Sequence, residues 1–159
     1  MVTVMKFYKE SEYRAACEAL FQKYKVSILN LIPHARVEHV GSSSIPGAIS
    51  KGDLDVFVGV SPEKFNESIM LLKKLGFREK LETLRAPALC MLESGIEDVA
   101  LQVVANGSTF EFFIEFREKL KASAALLDQY NQLKLTCIDL SDEQYRELKS
   151  EFIERVLRK

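Results

Sequence analysis

The sequence has almost no net charge: 22 Lys and Arg against 23 Asp and Glu leave a formal −1. A protein that binds nucleic acid by neutralising phosphates needs a basic excess, so composition offers no global electrostatic case for one. Long apolar runs are also missing. None approaches the ~20 residues that span a bilayer, and the opening stretch MVTVMKFYKE lacks the apolar core of a signal peptide. The expected partners therefore include neither nucleic acid nor a membrane, and the expected location is cytoplasmic. Cysteine is scarce. Cys17, Cys90 and Cys137 are odd in number and far apart, with neither zinc spacing nor a disulfide framework. They read as small buried hydrophobes in a reducing compartment. Two histidines, His34 and His39, are too few for a histidine-rich metal site.

The 159 residues, 47% of them hydrophobic, suit a single domain over 1–159 with its own core. Tyr13, Cys17, Leu20, Phe21, Tyr24 and Ile28 recur at steps of three and four, which predicts a helix across the first thirty residues, ended by Pro33. Ala35–Val40 reads as a strand. Gly41–Gly52 is rich in serine and glycine and reads as turns. Leu54–Val60 is nearly all apolar, as a strand buried on both faces would be. Ser61-Pro62-Glu63 starts a helix that runs to about Leu75 and stops at Gly76. Phe77–Leu81, Ala86–Leu92 and Asp98–Val104 read as further strands. Helices follow from Ser108, over roughly 124–136, and over 141–157. Phe110, Phe112, Phe113 and Phe116 read as core packing between helix and sheet. The fold class is α+β, a mixed sheet flanked by helices with a helical C-terminal part.

The chemistry concentrates in VGSSSIPGAISKGDLDV, residues 40–56. Side chains alternate along a strand, so Asp53 and Asp55 share a face. Two carboxylates this close repel, and one tends to take a proton unless a cation sits between them. Mg²⁺ prefers such oxygens and leaves coordination positions for phosphate. Upstream, Gly41 and Ser42 can turn sharply and offer backbone N–H groups and hydroxyls to an anion. The alternative, solvated acids on a strand edge, is weaker, because acids are depleted in strands. Together the turn and the acidic pair are the minimum for metal-assisted phosphoryl or nucleotidyl transfer.

Val40-Gly41-Ser42 followed by Asp53-Leu54-Asp55-Val56 resembles the pattern of the nucleotidyltransferase superfamily. Glu38-His39-Val40-Gly41-Ser42-Ser43-Ser44-Ile45-Pro46-Gly47, with Lys51 and the two acids, is similar to the signature of the GrpB family within it. Phe116-Arg117-Glu118, Tyr130 with Lys134, and Tyr145 with Lys149 extend the resemblance. It implies a Mg²⁺-dependent nucleotidyltransferase acting on a nucleoside triphosphate and a small acceptor. Gly41, Ser42 and Ser43 would hold the phosphates, and Asp53 and Asp55 the metal. Lys51 and Arg117 are candidates for the phosphates; a solvated loop lysine and an arginine paired with a neighbouring acid explain them equally well. The resemblance also implies a third carboxylate on the strand Asp98–Val104. Ala100 and Gln102 stand at its centre instead, and Asp98 stands at its start, out of reach of the pair. A domain that holds a phosphorylated ligand without transferring it is therefore the alternative.

Overall fold

The computed structural model describes residues 6–81 and 83–158. The start of the long N-terminal helical pattern, residues 1–5, lies outside them. Helix α1 (Glu10–Leu31) opens the fold, followed by β1 (Arg36–Val40), β2 (Leu54–Val60), α2 (Phe65–Lys73), β3 (Phe77–Glu79), β4 (Leu89–Ser94), β5 (Val99–Ala105), and helices α3 (Phe112–Lys121), α4 (Ala124–Thr136) and α5 (Asp142–Leu157). The strands form one sheet in the order β1-β2-β5-β4-β3. Only the central β2–β5 pairing is parallel; the other three are antiparallel. This is the mixed sheet that the sequence predicts.

The apolar run of β2 explains its central place. Leu54, Val56 and Val58 have no exposure and pack with Leu101, Val103, Ile28 and Leu72 under α1 and α2. Phe57 points the other way, into a smaller cluster with Val40, Leu89 and Val104 that Phe110 and Phe113 cover. A third cluster joins the C-terminal helices: Phe116, Leu120, Tyr130, Phe152 and Val156 pack on Ile45 and Ala48. The aromatic run thus serves two cores, with Phe110 and Phe113 on the sheet and Phe116 in the helical bundle.

Three boundaries differ from the sequence pattern. The helix begun at Ser61 starts as a 3-10 turn over Pro62–Lys64, and the Ser61 hydroxyl caps nothing. β4 begins at Leu89, because Pro87 lacks an N–H and the chain closes a turn there, with Ala86 and Leu89 bonded to each other. β3 is only three residues long, an edge strand with Arg78 and Glu79 exposed.

Candidate functional site

The register of the sheet sets the geometry. Val40 pairs with Asp55, so the chain leaving β1 turns directly over the Asp55 carboxylate. Gly41 makes that turn at φ 76°, ψ −177°, a region essentially reserved for glycine. A Cβ there would lie 3.0 Å from both Cβ and Cγ of Asp55, and closer still to Oδ2. The glycine is thus required twice, by its dihedrals and by the carboxylate beneath it.

The turn is pinned from several sides. The Ser44 hydroxyl donates to the Gly41 carbonyl at 2.6 Å. Ser43 is buried, and its Oγ shares a 2.8 Å hydrogen bond with His39 Nε2. Burial, helped by the Arg117 charge, pulls His39 down to about 4, so the imidazole is neutral. The Ser42 hydroxyl donates to Ser50 Oγ at 2.9 Å, and Ser50 Oγ accepts from the Gly52 N–H at 3.1 Å. Ser42 and Ser44 are half-exposed, Ser44 turned back onto the Gly41 carbonyl and Ser42 onto another hydroxyl.

Helix α4 fixes the loop that follows. Asn131 donates to the Gly47 carbonyl and accepts from the Ile49 N–H, both at 3.0 Å. Lys134 donates to the Ile49 carbonyl. From α1, the Tyr13 hydroxyl donates to the Ala48 carbonyl at 2.6 Å. No sequence pattern singles out Ser50 or Asn131, since their roles depend on partners that only the fold supplies.

Asp53 and Asp55 come together as alternation requires. Burial, and then the charge of Asp53, push Asp55 up to about 6; the Lys149 and Lys80 charges and a Gln102 hydrogen bond oppose this. Gln102 lies on the same sheet face and donates from Nε2 to Asp55 Oδ1 at 3.3 Å. It is 6% exposed, and its Oε1 is buried with no hydrogen-bond partner among the described residues. A buried carbonyl oxygen left unpaired costs about 1–3 kcal/mol, which a cation or ligand proton at this spot would recover.

Asp98 stands immediately before β5, at the start of that strand as the sequence has it. Its carbonyl accepts the Leu54 N–H at 3.0 Å, which sets the residue beside Asp53 at the end of the sheet. Burial and the Asp53 charge both raise its carboxyl. Among the described residues no three His, Cys, Asp or Glu side chains come together in a group that could hold a metal ion, so Asp98 does not complete the acidic pair. An open site fits Mg²⁺, which uses one or two carboxylates and fills its remaining positions with water and phosphate oxygens. Asp53 and Asp55, with the unpaired Gln102 oxygen, supply oxygen donors of that kind.

Opposite the acids stand lysines. Lys134 is 1% exposed, with its Nζ 4.0 Å from the Tyr130 ring centroid. Burial, then repulsion from Lys149, bring it down to about 6 despite the attraction of Asp53 and Asp55. Lys51 is exposed, with its Nζ 5.0 Å from the Tyr145 ring centroid. Arg117 stands elsewhere: its guanidinium donates to Glu38 Oε1 at 2.7 Å, the His39 carbonyl at 2.8 Å and Glu118 Oε1 at 2.8 Å. Four of its five N–H donors are thus engaged, with neighbouring acids as the pairing alternative has it.

Gln102→Glu is expected to raise Mn²⁺ or Mg²⁺ affinity by at least about tenfold, because a third anion faces the cation. The same change should lower the melting temperature without metal, through repulsion with Asp55. Calorimetric titration and thermal unfolding with and without metal read both effects; unchanged affinity rules out a cation at this spot.

The GrpB protein family's pattern matches residues 11–159. A UPF0157 protein of Vibrio cholerae is 56% identical over 154 residues, 96% of this chain and 82% of the relative. A UPF0157 protein of Deinococcus radiodurans is 27% identical over 89% of this chain and 76% of the relative. Among solved structures, conserved protein GrpB from Enterococcus faecalis superposes with a TM-score of 0.67 at 19% identity, covering 94% of this chain and 98% of that one. Cid1, described as an RNA terminal uridylyl transferase, superposes with a TM-score of 0.54 at 16% identity. That match covers 79% of this chain and only 39% of Cid1. A variant of the Cid1 poly(U) polymerase bound to MgATP gives 0.52 at 15% identity. The chain therefore has the fold of GrpB and of the nucleotidyltransferase-like part of Cid1.

Proposed function

This chain belongs to the GrpB family, and we propose that it is a Mg²⁺-dependent nucleotidyltransferase, moving a nucleotidyl group from a nucleoside triphosphate to the hydroxyl of a small acceptor. The observation that carries this reading is the half-buried Asp55 carboxylate, lodged under Gly41 and beside the unpaired Gln102 oxygen. A purely structural acid would be solvated or ion-paired. This one sits raised to about 6 between a second acid and a phosphate-type turn.

In the proposed reaction the Ser42 hydroxyl and the backbone at Gly41 orient the donor phosphates. Lys51 and Lys149 face them with positive charge, and phosphate favours the charged form of Lys134, which burial otherwise holds down at about 6. Asp53 and Asp55 hold the metal, which when bound neutralises charge developing on the phosphates. The acceptor oxygen forms a bond to the α-phosphorus, the bond to the bridging oxygen breaks, pyrophosphate leaves, and the hydroxyl proton passes to water. The setting would be a reducing cytoplasm, in keeping with three free, buried cysteines. No helix among the described residues is long and apolar enough to cross a membrane.

One observation favours the second reading, binding without transfer. Gln102 occupies the position next to Asp55 where a third carboxylate would add negative charge. The two readings separate experimentally. Calorimetry with ATP, GTP, CTP and UTP should show Mg²⁺-dependent binding of at least one, weakened at least about tenfold in Asp53→Asn and in Asp55→Asn, the scale of one charge-assisted contact. Unchanged binding in both variants removes the metal site from the proposal. Pyrophosphate release from the bound nucleotide over a panel of hydroxyl acceptors then supports transfer; binding with no release supports the ligand-holding domain.

A further inference from the structure

A cavity of about 320 Å³ opens at the free edge of the sheet, beside β1. Phe21 and Lys25 from α1, Glu38 and His39 from β1, and Arg117 and Lys121 from α3 form its walls. None of Asp53, Asp55, Lys51, Lys134 or Lys149 lines it. It meets the Gly41 turn only through Ser44 and does not reach the acidic pair, so a ligand here neither requires the proposed activity nor supports it.

The charges on its walls do not cancel. Glu38 is already taken: Arg117 donates to it at 2.7 Å and Arg36 pairs with it from the other side. Arg117 also pairs with Glu118. His39 is neutral at physiological pH, being held down at about 4 by burial and the Arg117 charge. Lys25 and Lys121 remain, and neither has an ion-pair partner among the described residues. Two unmatched cations over one concavity attract an anion. The cavity also has an aromatic wall. The Phe21 and His39 rings stack with centroids 5.4 Å apart at 24°, and the Lys25 Nζ stands 5.9 Å from the Phe21 ring centroid. This wall is fixed rather than mobile, because His39 is bonded to Ser43 through Nε2 and to Arg117 through its carbonyl.

We propose that this cavity is a second ligand site, for a small phosphate monoester carrying a flat ring. The phosphate would sit between Lys25 and Lys121, and the ring against Phe21 and His39. The Glu38-His39 pair, which the transfer reading does not use, would then serve to build this wall.

Calorimetric titration with phenyl phosphate and with inorganic phosphate, in EDTA, tests the proposal. The expected result is saturable binding of phenyl phosphate, tighter than that of inorganic phosphate. The double variant Lys25→Met, Lys121→Met should weaken it at least about tenfold, two charge-assisted contacts being lost. Asp53→Asn should leave it unchanged. Phe21→Leu should narrow the difference between the two ligands. Thermal unfolding checks that each variant folds; both lysines are at least partly exposed, so their loss opens no core cavity. Three results overturn the proposal: no saturable binding, equal binding of the two ligands, or retention in the lysine variant with loss in Asp53→Asn. The last would move the phosphate to the serine turn.

Discussion

Gly41→Ala is expected to lower the unfolding free energy by about 3 kcal/mol and to abolish measurable binding of any Mg²⁺-nucleotide. Two costs add. The backbone at φ 76°, ψ −177° costs a residue with a Cβ roughly 1–3 kcal/mol. The new methyl would also press on Asp55, whose Cβ and Cγ lie 3.0 Å from its position. The backbone is paired on both sides of this contact, so the strain falls on the Asp55 side chain, the group assigned to the metal. Gly76→Ala is the control. Its φ of 99° carries a comparable backbone penalty, yet nothing lies within 4 Å. It should cost less stability and leave binding intact. A double-mutant cycle separates the steric part: Asp55→Ala removes the carboxyl group, so Gly41→Ala should cost at least about 1 kcal/mol less in that background. Urea unfolding at constant slope measures all four proteins. Additive losses would mean that Gly41 serves only its own dihedrals and does not mark the close approach to Asp55.

Legibility in the sequence tracks the range of the interactions. β2 is legible to the residue, because a strand covered on both faces must be apolar on both, and Leu54–Val60 is apolar but for Asp55. The pairing of Gly41 with the Asp53–Asp55 strand is legible from spacing, since the two segments are separated by one short loop. Alternation along β5 places Gln102 on the Asp55 face, and its hydrogen bond to Asp55 bears this out. Lys134 and Asn131 act on loop residues 82 to 85 positions earlier in the chain. Helical periodicity shows that Tyr130 and Lys134 share a face; it does not show that the face is covered. Nothing local distinguishes a solvated lysine from one held at 1% exposure in the folded protein.

That buried lysine gives the largest effect of pH. Its neutral form is favoured down to about pH 6 in the folded protein, whereas in the unfolded chain it stays charged to about pH 10.4. Between these values the unfolded state holds the extra proton, so folding stability rises with pH. Other groups complicate the ends of the range. Below pH 6.5, His39 is held down at about 4 and adds a rise with pH, while Asp55, raised to about 6, adds a fall; the two largely offset. Near pH 9 and above, the thiols of Cys17 and Cys90, both raised by burial, begin to lower stability. From pH 7 to pH 8 Lys134 dominates, and the unfolding free energy should climb by about 1 kcal/mol. Lys134→Met should flatten that slope and stabilise the protein most at pH 7, because a hydrophobe of similar length replaces a cation that folding has to neutralise. Lys149 and Lys51 repel the Lys134 ammonium, and Asp53 and Asp55 attract it. A Mg²⁺-nucleotide that brings phosphate to these lysines would favour the charged ammonium again. Its binding at pH 8 should then take up close to one proton, visible as a dependence of the calorimetric heat on the buffer's ionisation enthalpy, and absent in Lys134→Met. A wild-type protein whose stability is level from pH 7 to pH 8 would show that Lys134 stays charged inside the fold.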